Sequence, residues 1–194
     1  MHDLIGRNLV ERIHRTHDNI LKSCAPLSND NMTHRISQTA PPIGWHLWHI
    51  ARWADHFQAS FPKREQIWQR DNIAVEWMLD TTLLGPMESG MGMPILMATE
   101  LVQKVGHVRL VDYARLTFHA CRDALHDIDV EALQSKRTSF ATWAMDGERI
   151  IYAAGAETTL IADFTYQLTH ANRHLGMIEA LIGATLERKG SASI

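Results

Sequence analysis

Apolar residues recur at intervals of three and four over four long stretches of this chain, and that period commits it to packed helices. In the first, about residues 3 to 23, Leu4, Ile5, Leu9, Val10, Ile13, His17, Ile20 and Leu21 share a stripe with charges between them. It closes at Ala25-Pro26, and Ser28-Asn29-Asp30-Asn31 reads as loop. Pro41-Pro42 opens the second helix, since a first turn has N–H groups without partners and tolerates proline. That helix is expected from about Ile43 to Phe61, stopping at Pro62, with Ser37 or Thr39 capping nearby. Its three tryptophans, Trp45, Trp48 and Trp53, argue that it is buried.

Gly85-Pro86 and Gly90-Met91-Gly92-Met93-Pro94 break the periodicity that follows, leaving a short helix at about 95–105. The methionines at 87, 91, 93 and 97 read as adaptable packing or as a lid over the open end of the bundle. A third long helix is expected from Val108 to Ile128. Residues 135 to 155 read either as a hairpin around Asp146-Gly147 or as a loop with a short helix. The fourth helix begins near Thr158 as cap and reaches about Arg188, where Arg188-Lys189-Gly190 is a C-terminal signal.

Four long amphipathic helices in 194 residues make an all-α four-helix bundle, a single domain over 1–194. Connections of about 20 and about 45 residues are too long for simple up-down-up-down order, so at least one crossover is required. A net charge of −3 gives no basic footprint for nucleic acid. The two lone cysteines, Cys24 and Cys121, fit a reducing compartment. With neither a signal peptide nor a membrane-length apolar run, a cytoplasmic protein with no membrane contact is expected.

Function must come from the twelve histidines. His170 and His174 are four apart, so both imidazoles leave one helical face on adjacent turns. About 0.7 such pairs are expected by chance at this histidine content, so the pair alone says little. A divalent transition metal held by it needs a third donor from another element, and His49 on the second helix is the natural one, with His46 one turn away as the competitor. His46 is read instead as a hydrogen-bonding neighbour or pocket wall, and it is the nominee for catalytic general base. His56, two turns beyond His49, is either near the site or a polar contact at the bundle end. Ala171 stands where a His-Glu-x2-His peptidase has its base, which excludes that class.

Pro42-Ile43-Gly44-Trp45-His46-Leu47-Trp48-His49-Ile50-Ala51-Arg52 and His170-Ala171-Asn172-Arg173-His174-Leu175-Gly176-Met177-Ile178-Glu179, at this spacing, resemble the DinB/YfiT-like family of metalloenzymes (unrelated to the polymerase of that name). The resemblance implies a bundle whose second helix gives one histidine and whose last gives a His-x3-His pair, here His49, His170 and His174. It also implies a homodimer and chemistry on a small molecule, as hydrolase or as a thiol (S-)transferase with a low-molecular-weight thiol. Zinc, nickel or iron all suit three neutral imidazoles. The alternative is a non-catalytic metal-binding or stress-response bundle acting through dimerisation.

Overall fold

The computed structural model describes residues 2–126, 128, 130–139, 143–146, 149–152 and 157–186. Along them run α1 (His2–Cys24), α2 (Asn29–Thr33), α3 (Ile43–Ala59), α4 (Ile67–Arg70), α5 (Ile73–Glu76), α6 (Ile95–Val105) and α7 (His107–His126). Four short strands follow, β1 (Lys136–Thr138), β2 (Trp143–Asp146), β3 (Arg149–Tyr152) and β4 (Glu157–Thr159), and then α8 (Leu160–Leu186). The long helices α1, α3, α7 and α8 form the expected all-α bundle. Among the described residues no helix is long and apolar enough to cross a membrane.

α1 lies chiefly against α8 and α7, and α3 chiefly against α7 and α8. Consecutive long helices α1 and α3 thus occupy opposite corners, as do α7 and α8, and both connections cross the bundle. α3 is the innermost element: 14 of its 17 residues are buried, so its polar side chains must find partners inside the protein. Trp48, Ile50, Ala51, Ala54 and Phe57 make its contribution to the core, facing Leu110, Ala114 and Phe118 of α7 and Phe164, Ala171 and Ile178 of α8 within one cluster. Gly44 admits α6 and α7 at close range, where a Cβ would stand 2.5 Å from Val102 Cγ1 and 3.2 Å from Leu110 Cδ1.

Three local expectations change. Ser28–Asn31 is no loop but the start of α2: Ser28 Oγ accepts from Asn31 N–H at 3.2 Å and Asn31 Oδ1 accepts from Ser28 N–H at 3.1 Å, a capping box. Ser37 Oγ accepts from the N–H groups of Thr39 and Ala40, while α3 itself starts after Pro42 without a side-chain cap. Thr158, expected at the start of the last helix, sits instead in β4 opposite Arg137 of β1, and Leu160 N–H donates to Ser135 O at 3.3 Å. Of the two readings for 135–155, strand pairing holds, with β2 antiparallel to β3 and Asp146 opposite Arg149. Gly147 and the Arg188-Lys189-Gly190 signal lie outside the described residues.

Candidate metal centre

Packing of α8 against α3 brings the two histidine blocks face to face. One ligand atom from each of His49, His170 and His174 can be chosen so that all lie within 4.8 Å of one another. His49 Nε2 stands 3.3 Å from His170 Nε2. Two nitrogens held at zinc-like distances of 2.0–2.1 Å by a tetrahedral ion are about 3.3–3.4 Å apart, so the donor spacing suits a divalent metal.

The orientation of each ring is fixed from behind. His49 Nδ1 is 2.5 Å from the carbonyl oxygen of Ser89, which can only accept, so Nδ1 carries the proton and Nε2 keeps its lone pair toward His170. His174 Nδ1 meets His46 Nδ1 at 2.9 Å, so one of these two nitrogens is the donor. His46 therefore borders the triad through His174. Among the described residues, His170 Nδ1 is buried without a hydrogen-bond partner. Aromatic rings wall the group: Trp45 stacks on His49 with centroids 4.7 Å apart, Trp53 meets His170 edge-on at 5.1 Å, and Tyr166 stacks on His170 at 5.7 Å.

Burial keeps these imidazoles neutral. It lowers His49 and His46 to about 4, the Ser89 hydrogen bond opposing it at His49 and the charge of His49 adding to it at His46. His170 falls to about 3, through burial first and then through His49 and Arg173. His174 is lowered furthest, by burial and then by its three histidine neighbours and Arg173. Neutral imidazole is the metal-binding form, so at neutral pH no proton need leave a ligand before an ion binds.

The remaining candidates fall elsewhere. His56 does not join the triad; its Nε2 lies 2.8 Å from the Met87 carbonyl. His17 is buried against Phe118, the rings stacked 4.0 Å apart. On α8, Asp163 accepts from Ser139 Oγ at 2.9 Å and pairs with Arg137 at 3.3 Å. Sequence reading missed Ser89, whose contribution is a backbone carbonyl and leaves no side-chain signature.

No curated protein matches the chain. A family model described as the DinB superfamily matches residues 12–178, a span containing all four histidines of the site. That match covers most of the 194 residues, and the chain belongs to the DinB superfamily.

Proposed function

We propose that this protein is a metal-dependent enzyme that acts on a small molecule, as a hydrolase or a thiol (S-)transferase, with His49, His170 and His174 holding the ion. The observation that carries the reading is the 3.3 Å approach of two Nε2 atoms, one of them fixed in its lone-pair tautomer by a buried carbonyl. Three protein donors leave a position for substrate, which separates a catalytic site from a closed structural one. When bound, a divalent ion supplies Lewis acidity, which makes a water or a thiol nucleophilic at neutral pH.

The chain's own residues do the rest. Ser89 O and His46 aim His49 and His174, while Trp45, Trp53 and Tyr166 keep bulk water from the ligands. For His174 to offer Nε2 to an ion its Nδ1–H donates to His46 Nδ1, so neutral His46 carries its own proton on Nε2, the nitrogen through which it would give a proton to a substrate. A low-molecular-weight thiol is the co-substrate to try first, and a cytoplasmic homodimer of single-domain chains is the form in which we expect it to work.

The test is metal content by inductively coupled plasma mass spectrometry on untagged protein, beside His49→Ala and His174→Ala. About one ion per chain, absent from both variants, is expected for a three-donor site. Metal-dependent turnover with a thiol or a hydrolysable substrate would then separate the enzyme from a non-catalytic metal-binding bundle. No metal in the wild type after supplementation with zinc, nickel or iron would sink the reading.

A further inference from the structure

α3 buries one full guanidinium. Arg52 is 0% exposed, and its only side-chain counter-ion among the described residues is Asp55, at 3.2 Å. A buried ion pair of this kind is costly to desolvate, so the way its remaining donors are used is informative. On one side Nη1 also meets Tyr113 Oη at 3.0 Å, tying the group to α7. On the other side Nε donates to Glu88 O at 2.9 Å and Nη2 to Met87 O at 3.1 Å. Two of its three nitrogens thus grip consecutive backbone carbonyls of one loop.

That loop needs gripping. Met87 and Glu88 are non-glycine residues in left-handed backbone, with φ of 59° and 50°. Such conformations are strained for residues with a Cβ and persist only where surroundings impose them. The next residue is Ser89, 0% exposed, whose carbonyl is the acceptor for His49 Nδ1. Gly90 then closes the loop on Leu84 O at 2.7 Å and lies so near α3 that a Cβ would stand 2.6 Å from Trp48 and 2.9 Å from Trp45.

We propose that Arg52 is a positioning residue for the metal centre: by holding the Met87 and Glu88 carbonyls it fixes the Ser89 carbonyl against His49 Nδ1, and so sets the tautomer and aim of that imidazole. The inference rests on the metal-site reading above. Arg52 and His49 are three apart on α3, so the two side chains leave neighbouring points of one helix and the loop bridges them. Lysine cannot replace the clamp. Its single ammonium lacks the planar fork that reaches Asp55 and two carbonyls at once.

The test compares wild type with Arg52→Lys, with Gly90→Ala, which displaces the same loop without touching the ion pair, and with Ile20→Ala, a core truncation in α1. Two readings are taken on folded protein. One is the position of the His49 ring proton in metal-free protein, by long-range 1H–15N correlation assigned with His49→Gln. The other is zinc affinity by competition with a chromophoric chelator. We expect Arg52→Lys and Gly90→Ala to lose the single Nδ1–H tautomer and to bind zinc about 10–100-fold more weakly, the usual cost of removing an outer partner of a ligand. Ile20→Ala should be less stable yet unchanged in both readings. Folded Arg52→Lys and Gly90→Ala with wild-type tautomer and affinity would overturn the proposal. If wild type binds no zinc while Arg52→Lys still loses the tautomer, the positioning role stands and the metal reading falls.

Discussion

At the residue scale the site separates donors from the groups that aim them. Donors were legible in the sequence because helical geometry is arithmetic: His170 and His174, four apart, must share a face. The third donor was harder, since His46 and His49 sit three apart and both reach α8. Structure divides them by partner, one facing His174 Nδ1 at 2.9 Å and the other facing His170 Nε2 at 3.3 Å with Ser89 behind it. Substitution should divide them by effect. His49→Ala is expected to abolish metal binding, whereas His46→Phe, which keeps a ring in place but removes the partner of His174, should weaken zinc affinity about 10–100-fold without abolishing it. Chelator competition on both variants checks this; equal losses would make His46 a ligand.

Among the elements, the four long helices were readable because each buries a continuous stripe, and the observed ends differ from expectation by only a few residues. What escaped was local polar chemistry whose meaning depends on partners. Ser28 and Asn31 look like loop residues until each is seen to satisfy the other's backbone at the start of α2. The segment from 62 to 94, ahead of the expected short helix, could not be read because its order comes from buried side chains on α3: Asp55 accepts from the Ile67 and Trp68 N–H groups at 2.9 Å each, and Arg52 holds the Met87–Glu88 turn. Helix packing makes its own prediction at Gly44. Alanine there gains up to about 1 kcal/mol of helix propensity. The added Cβ, however, would stand 2.5 Å from Val102 Cγ1, and overpacking of a buried contact costs about 1–3 kcal/mol. Overpacking should win, so Gly44→Ala is expected to unfold at lower urea than wild type. Val102→Ala in the same chain should recover part of the loss, because it removes the clashing atoms. A stabilised Gly44→Ala would show that α6 yields instead.

For the molecule as a whole, the cost of this interior is a core full of imidazoles that must stay neutral. His17 is the cleanest case because it lies on α1, outside the histidine triad. It is 1% exposed, stacked on Phe118, with both ring nitrogens lacking a hydrogen-bond partner among the described residues. Burial, then the nearby His14 and Arg122, push it down to about 3. Unfolding returns it to its ordinary value of 6.5. Between those values the unfolded chain carries a proton that the folded chain does not, so acid favours unfolding. The stability term is complete above 6.5 and is lost as pH falls toward 3, at about 1.4 kcal/mol per pH unit. His56, also lowered to about 3 chiefly by burial, adds a term of the same sign. Metal-free protein should therefore lose stability steeply on mild acidification. His17→Phe preserves a flat ring against Phe118 and removes the titration, so its urea-derived stability should fall less steeply by about 1.4 kcal/mol per unit between pH 6 and 4.5. The variant should also gain at neutral pH, since an unpartnered buried polar group costs about 1–3 kcal/mol. Parallel stability curves for wild type and His17→Phe would mean that His17 takes up its proton in the folded state, through water or a shift of α1 that opens the stack.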